Sequence, residues 1–239
     1  MGYTINIIDW YAISLGLADK TAWYEWARQD HNNAWSGELP ATPLLPKMSA
    51  RRMSTPSKLA TQAALTLIEQ HSIDAAIFIS QHGELERSYK IIESICLKYD
   101  VSPTDFSMSV HNTAAGLVSI IGKQTFPISS LAAGRDGFQQ ALLETYALLQ
   151  TDNIKNVLVV DFDGDIPKAY QTQYPQYTPA YACAYVITQG DTLSCSQQPT
   201  GNNTTLSILP QSLQLLRNML RQDASFMING THSNWLWTQ

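Results

Sequence analysis

The sequence predicts an α/β fold: a mixed, mainly parallel sheet with helices on both faces and a short helical extension at the C-terminus. Residues 127–160 read as strand, helix and strand, and the helix carries its apolar residues on one face, as a helix crossing over a parallel sheet requires. Two short apolar segments, Ala75–Ser80 and Val157–Val160, are typical of buried strands. A helix is predicted before each of them.

The elements of the first half follow in order. Residues 3–10 are rich in strand-forming residue types and read as a first strand, and residues 21–28 read as a short aromatic helix. Thr55 and Pro56 suit a helix start, because Thr caps an N-terminus and Pro fits the first helical position. Residues 84–99 are predicted to form another helix. Four of its side chains share one stripe: Leu85, Tyr89, Ile92 and Cys96.

The last third of the chain is less regular. Tyr181–Thr188 reads as an antiparallel strand at the edge of the sheet, and the polar residues 190–203 read as a loop. Residues 211–222 have the spacing of an amphipathic helix. The segment Trp235–Trp237 is unusually apolar for a free end, so we expect it to dock on this chain or on a partner.

Length and composition indicate one domain, residues 1–190, and an extension, residues 191–239, that packs on the domain or on a partner. Charged residues make up only 15% of the 239 residues, which fits either a large protein–protein interface or a merely neutral surface. The net charge of −5 argues against nucleic acid or an anionic membrane as a partner. No signal peptide and no membrane-spanning run are found, so a cytoplasmic location is expected.

The three cysteines form neither a metal-binding spacing nor an even disulfide framework. Cys96 lies in a helical pattern and Cys183 in a strand pattern, so both are predicted to be small core residues. We expect no metal and no cofactor.

The most informative segment lies between Ser102 and Phe138. It contains the sequence VHNTAAG (residues 110–116), then a predicted short strand and a tight turn into a helix. The buried strand Val157–Val160 follows that helix. This order resembles the N-terminal half of the β-ketoacyl synthases of the thiolase-like superfamily. In those enzymes the turn between strand and helix holds a nucleophilic Cys. Here Gly134 and Arg135 fall at that position, and residues 131–140 contain neither Cys nor Ser.

The missing thiol has a chemical consequence. Thioester condensation requires a thiolate that accepts the acyl group before the carbon–carbon bond forms, and neither Gly134 nor Arg135 can act as that nucleophile. The second half of a complete synthase, which carries two His residues and a Lys, is also missing, and only His232 lies near the end of this chain. The resemblance therefore implies a protein without synthase activity of its own.

Three further phrases narrow the resemblance: QHGE (residues 81–84), SVHN (residues 109–112) and AAG (residues 132–134). They are similar to the short chain length factors found with bacterial aryl polyene and related polyketide pathways. The resemblance implies a heterodimer with a full-length β-ketoacyl synthase. An acyl carrier protein would reach this chain only through that complex.

The family also implies site residues. The strand Ile128–Leu131 would pair across the dimer axis, with interface residues Asn112, Ile128, Ser129, Ser130 and Leu131. The loop and helix before it would reach the partner's acyl tunnel, where Phe106, Met108 and His111 would limit chain length. The physical reason is steric, since a rigid, close-packed wall fixes how many carbons fit.

Two alternatives remain open. The chain could be a purely structural stabiliser of the synthase that does not touch its tunnel. Asp161 and Asp163 follow an apolar strand, as the two aspartates of haloacid-dehalogenase-type phosphatases do, although Asp165 stands where those enzymes have Thr. Gln139 and Gln140 lie near the nucleophile position, and we interpret both as polar residues on the flank of a helix.

Overall fold

The computed structural model describes residues 2–29, 35–173, 178–200 and 206–239. Its helices and strands are β1 (Gly2–Ser14), α1 (Lys20–Arg28), α2 (Lys47–Ala50), α3 (Thr55–Ile68), β2 (Ala75–Ile79), α4 (Leu85–Cys96), α5 (Pro103–Ser107), α6 (Thr113–Gly122), β3 (Ile128–Leu131), α7 (Gly137–Leu149), β4 (Val157–Asp163), β5 (Tyr181–Pro199), α8 (Gln211–Arg221), β6 (Ser225–Ile228) and β7 (Ser233–Thr238). Single 3-10 turns lie at Gly134–Asp136 and Lys168–Tyr170. Within these residues no helix is long and apolar enough to cross a bilayer.

The strands form one mixed sheet in the order β3-β2-β4-β5-β7-β6, with β1 paired to β5. The α/β class and the mixed sheet are confirmed, but the expectation of a mainly parallel sheet is wrong. Only β2 with β3 and β2 with β4 are parallel, and the other four ladders between described strands are antiparallel. The reason is connectivity: parallel neighbours need a helical crossover, whereas β6 and β7 are joined by four residues and can pair only antiparallel.

Strand β5 corrects two predictions. It lies between β4 and β1 rather than at an edge, and it continues to Pro199 through residues that read as a loop. Leu193 and Cys195 are buried while their neighbours are more exposed, which is the alternation of a strand with one covered face. The polar residues of the other face concealed this alternation in the sequence.

The C-terminal extension is not only helical, which corrects the predicted fold. After α8 the chain forms the β6–β7 hairpin, and β7 pairs with the second half of β5. Trp235 and Trp237 are completely buried there, and the Trp237 ring contacts the rings of Tyr3 and Phe226. The apolar end of the chain therefore docks on this chain itself.

Two cores lie on opposite faces of the sheet, so the prediction of helices on both faces is confirmed. Ile77 and Ile79 point to the core that is covered by α1, α7 and α8. Ala76 and Phe78 point to the core that is covered by α3 and α6. This alternation along β2 follows from the two-residue period of a strand, and it accounts for an uninterrupted apolar segment in a strand covered on both faces.

Candidate interface and the turn at Gly134

Strand β3 forms one edge of the sheet. It pairs in parallel with β2, from Ala76 opposite Ile128 to Ile79 opposite Leu131, and no other described strand pairs with it. Ser129 is exposed, and Ile128, Ser130 and Leu131 are half-buried. An unpaired edge leaves backbone N–H and C=O groups available to a strand of another chain. The residues expected to pair across a dimer axis therefore occupy a position from which they can do so.

Exposed apolar side chains concentrate between α4 and α6. Twelve large hydrophobic residues are exposed among the described residues, and seven of them fall within residues 92–120. We call these seven the α4–α6 apolar surface: Ile92, Ile95, Leu97, Tyr99, Phe106, Val110 and Ile120. This concentration within one stretch of the chain makes these residues the candidate interaction surface, because exposed large apolar residues elsewhere among the described residues occur singly.

Helix α4 contributes most to this surface. It has no buried residue, so the stripe predicted from the sequence does not face a core of this chain. Ile92 is 51% exposed, and Cys96 is exposed as well, so the prediction of a core position for Cys96 is wrong. Sequence periodicity identified the amphipathic helix correctly but could not tell whether its apolar side is covered by this chain or by another.

Polar contacts hold this exposed segment in place. The Arg87 guanidinium pairs with Asp105 of α5 and lies 3.5 Å from Glu84, and it also donates to the Arg52 carbonyl at 2.8 Å. The Tyr89 ring packs edge-on against Tyr170, with 5.7 Å between ring centroids. The segment is thus anchored at the start of α4 and presents its later apolar residues outward.

The three residues expected to gate a tunnel differ in placement. The Phe106 side chain is 68% exposed on α5, whereas Met108 packs partly against the core under α6. His111 is half-buried, and its Nε2 lies 3.0 Å from the carbonyl oxygen of Ser80. The His111 ring also limits Gly83, where an added Cβ would lie 3.0 Å from Cδ2. Of the three, only Phe106 is free to reach far from this chain.

Asn112 is exposed and precedes the first residue of α6. It follows His111 directly, so the exposed amide and the half-buried imidazole lie on opposite sides of one turn. Helix α6 packs beside β3, which brings this turn and the sheet edge onto the same side of the molecule.

The turn after β3 presents no side chain at its tip. Gly134 has φ +60°, a left-handed conformation that glycine adopts without strain, and a Cβ placed there would meet no atom within 4 Å. Asp136 fixes the end of the turn, because its carboxylate accepts hydrogen bonds from the backbone N–H groups of Thr231 and His232. Arg135 is exposed and donates to the Ser207 carbonyl at 3.2 Å.

A cavity of about 270 Å³ lies beside this turn. Its wall is formed by the turn, the end of β4, the start of β5 and the first turn of α8. The polar side chains of the wall include Arg135, Asp161, Tyr181, Gln211 and Gln214. Phe138, Ile166 and Leu209 supply apolar parts of the wall. This cavity could not be predicted from the sequence, because its wall combines several segments that are distant in the chain.

The carboxylates Asp161 and Asp163 at the end of β4 have structural partners. Asp163 accepts hydrogen bonds from the Ser80 hydroxyl at 2.6 Å and from the N–H groups of Gln81 and His82. Asp161 Oδ2 accepts from the hydroxyl groups of Tyr181 and Ser212. Burial raises the pKa of Asp161 to about 7 and also raises the pKa of Asp163.

These contacts give the phosphatase alternative no support. Both oxygens of Asp163 hold the loop that follows β2, and Asp161 is held against α8. Within the part of the chain that the structure describes, no group of three His, Cys, Asp or Glu side chains is spaced to hold a metal ion.

Gln139 corrects the interpretation of the two glutamines. Gln140 is exposed, as a residue on a helix flank should be, but Gln139 is fully buried. Neither amide atom of Gln139 has a hydrogen-bond partner. A polar residue at this position reads as a surface residue in the sequence, and only packing of α7 against the sheet places it inside.

The two remaining thiols are unreactive by environment. Cys183 and Cys195 are buried in β5, and burial raises the pKa of Cys183 and raises that of Cys195 to about 12. A thiol with such a pKa is almost entirely protonated at neutral pH and is a poor nucleophile. The core position predicted for Cys183 is confirmed.

Comparison with known proteins agrees with this arrangement. A family model described as "Beta-ketoacyl synthase, N-terminal domain" matches residues 23–238. No match was found among the curated proteins. Among solved structures, a chain of the complex "Ketosynthase (ApeO) in Complex with its Chain Length Factor (ApeC) from Xenorhabdus doucetiae" is 38% identical, with a TM-score of 0.92 over 99% of both chains.

Two more distant structures share the fold alone. A chain of the ishigamide ketosynthase/chain length factor has a TM-score of 0.66 at 15% identity, over 82% of this chain and 67% of that chain. A β-ketoacyl synthase from Burkholderia phymatum STM815 has a TM-score of 0.57 at 12% identity, over 92% and 71% of the two chains. This chain therefore belongs to the β-ketoacyl synthase N-terminal domain family, and its resemblance to a chain length factor of the aryl polyene type is confirmed.

Proposed function

We propose that this chain is a non-catalytic chain length factor that forms a heterodimer with a β-ketoacyl synthase and shapes the synthase's acyl tunnel. The observation that carries the proposal is the unpaired edge of β3, which contacts α6, the last helix of the α4–α6 apolar surface. The related chain from Xenorhabdus doucetiae belongs to a complex of a ketosynthase with its chain length factor, which supports a ketosynthase as the partner here.

The edge of β3 would supply the centre of the interface. Its free backbone groups would pair with the equivalent strand of the synthase, so that one sheet runs through both subunits. Ile128, Ser129, Ser130 and Leu131 would line this contact, and the exposed Asn112 would lie beside them. The α4–α6 apolar surface would then lose its contact with water, which is the main favourable term in such an association.

The chain would contribute no catalytic group to the reaction. By the family resemblance, Gly134 and Arg135 would stand where a synthase carries its nucleophile. The thiols of Cys183 and Cys195 are buried, and burial raises the pKa of each. An acyl carrier protein would therefore deliver its substrate to the synthase rather than to this chain.

Tunnel shaping would depend mainly on Phe106. The Phe106 ring is exposed on a short helix that Arg87 and Asp105 anchor, so it is a bulky group on a fixed support. Met108 and His111 would support this wall from within the chain, because Met108 packs against the core and His111 lies against the Ser80 carbonyl. A wall of this kind limits product length by excluding further carbons.

The test is the length of the products made by the complex. We expect Phe106→Ala in the co-expressed complex to shift the product distribution to longer chains, measured by mass spectrometry of the released acyl groups. Met48→Ala is the matched control, since Met48 is also exposed but lies on α2, outside the proposed interface. Unchanged lengths in an intact complex would contradict tunnel shaping and favour the purely structural stabiliser. Failure of the wild-type chain to bind the synthase would contradict the whole proposal.

A further inference from the structure

The cavity beside Gly134 has an acidic wall. Three carboxylates line it, from Asp136, Asp161 and Asp163, whereas Arg135 is the only Lys or Arg among the described lining residues and His82 adds an imidazole. The Arg135 guanidinium is exposed at the rim, where it donates to the Ser207 carbonyl. The interior of the cavity therefore favours a positively charged occupant over an anion.

The carboxylate of Asp161 is a buried hydrogen-bond acceptor within this wall. It is only 5% exposed, and its Oδ2 accepts from the hydroxyl groups of Tyr181 and Ser212. On the same wall Gln211 is 6% exposed, and its Oε1 has no partner. A buried acceptor without a donor is costly, so the Gln211 Oε1 atom calls for a donor that the protein does not supply.

The size and lining of the cavity limit the ligand. The volume of about 270 Å³ corresponds to roughly nine water molecules, which is room for a ligand of a few heavy atoms. Phe138, Ile166 and Leu209 offer an apolar surface for a short hydrocarbon part. A primary ammonium group has three N–H donors, which suit the partnerless Gln211 Oε1 atom, and a positive charge, which suits the acidic wall.

We propose that this cavity binds a small primary alkylammonium ion, with its charged head on Asp161 and Gln211 and its hydrocarbon part against Phe138. The proposal does not depend on the proposed function. Binding would also relieve the electrostatic cost of the buried carboxylate, because an opposite charge within hydrogen-bond distance favours the ionised form.

The experiment uses the full chain and three four-carbon probes at pH 8: n-butylammonium, n-butanol and butyrate. We expect n-butylammonium to raise the thermal unfolding midpoint with a saturable concentration dependence, and the neutral and anionic probes to leave it unchanged. Equal stabilisation by n-butanol would overturn the proposal, since it would mean an apolar pocket. No stabilisation by n-butylammonium up to about 50 mM would also overturn it, because water alone would then fill the cavity.

Two variants locate the binding. Asp161→Asn keeps an acceptor for Tyr181 and Ser212 but removes the charge, and we expect it to weaken n-butylammonium binding by about tenfold or more in equilibrium dialysis. Asp165→Asn makes the same change of charge at an exposed residue four positions away and should leave binding unchanged. Equal weakening by both variants would mean general surface attraction and would overturn the proposal.

The pH dependence gives an independent readout. Binding should weaken by about tenfold between pH 8 and pH 6, because Asp161 takes up a proton in this range and then no longer holds the cation. Other charged or titratable residues that line the cavity include His82, Arg135, Asp136 and Asp163. The variant His82→Gln is measured in parallel as a control. We expect His82→Gln to keep this pH dependence and Asp161→Asn to lose it. The reverse result would overturn the assignment to Asp161.

Discussion

The C-terminal hairpin and the α4–α6 segment are both unusually apolar in sequence, yet the fold treats them in opposite ways. Trp235 and Trp237 of β7 are completely buried against β1, β6 and their own core. Ile92 and Ile95 of α4 are more than half exposed. The difference teaches that an apolar stripe predicts burial but not by which chain, since burial depends on whether the same molecule offers a free strand edge or helix face.

The largest expected effect is a loss of stability when a buried residue of the C-terminal hairpin is truncated. Trp237→Ala should lower the free energy of unfolding by about 3–5 kcal/mol, because it removes a fully buried indole that packs on Tyr3 and Phe226. Urea unfolding at equilibrium measures this value. Met227→Ala, on the exposed side of the same hairpin, should change it by less than about 0.5 kcal/mol. A loss below about 1 kcal/mol for Trp237→Ala would mean that the hairpin is not part of the core.

The next largest expected effect is the pH dependence of stability that the buried Asp161 produces. Burial raises the pKa of Asp161 from 3.8 to about 7, so the folded state binds this proton more tightly than the unfolded state. Protonated Asp161 therefore adds stability below about pH 4, and that contribution is lost as pH rises to about 7. The raised pKa of Asp163 acts in the same direction.

Replacing the ionisable Asp161 side chain by a neutral one should remove much of this loss of stability at high pH. At pH 8, Asp161→Asn is expected to raise the free energy of unfolding by an amount on the order of a few kcal/mol and to flatten the slope between pH 4 and pH 7. Chemical unfolding across this pH range checks both outcomes, with Asp165→Asn as the exposed control. An unchanged slope would show that Asp161 is solvated rather than buried.

The role of the exposed α4–α6 apolar surface is tested by placing a charge on it. Ile95→Glu should weaken binding to the synthase by about 2 kcal/mol, because it buries an unpaired carboxylate in the interface. The stability of the isolated chain should change by less than about 0.5 kcal/mol, since Ile95 contacts little of it. Met48→Glu on α2 is the matched control and should bind normally, as measured by titration calorimetry. Equal binding of the synthase by the wild-type chain, Ile95→Glu and Met48→Glu would mean that α4 stays exposed in the complex.

The smallest effects sharpen the description of the turn. A Cβ meets nothing within 4 Å at either Gly134 or Gly116, but only Gly134 has a positive φ. Gly134→Ala should therefore destabilise the chain by about 1 kcal/mol, and Gly116→Ala in α6 should stabilise it by about 0.5–1 kcal/mol. Thermal unfolding measures both. Stabilisation by Gly134→Ala would indicate that the turn does not have the left-handed conformation.

Local patterns predicted most elements, and long-range pairing accounts for most errors. The buried strands β2 and β4 and the helices α3, α4, α7 and α8 follow from apolar periodicity in short windows. Residues 190–199 were missed because one face of that half of β5 is polar, and its pairing with β7 depends on a segment more than 30 residues away. Gln139 was missed for the same reason, since its burial depends on α7 packing against the sheet rather than on neighbouring residues.

The sequence alone determined most of the strands and helices up to β4, the family of the chain and the lack of Cys and Ser at residues 131–140, because each of these depends on residue identity and local spacing. Tertiary structure decided that the sheet is mainly antiparallel, that the tryptophan-rich end closes on its own core and that the apolar side of α4 stays uncovered. It also created the acidic cavity, whose wall joins residues from several separate segments. These features depend on which surfaces meet in space, and the free energy of burial is the same whether a segment's partner lies near or far in the chain.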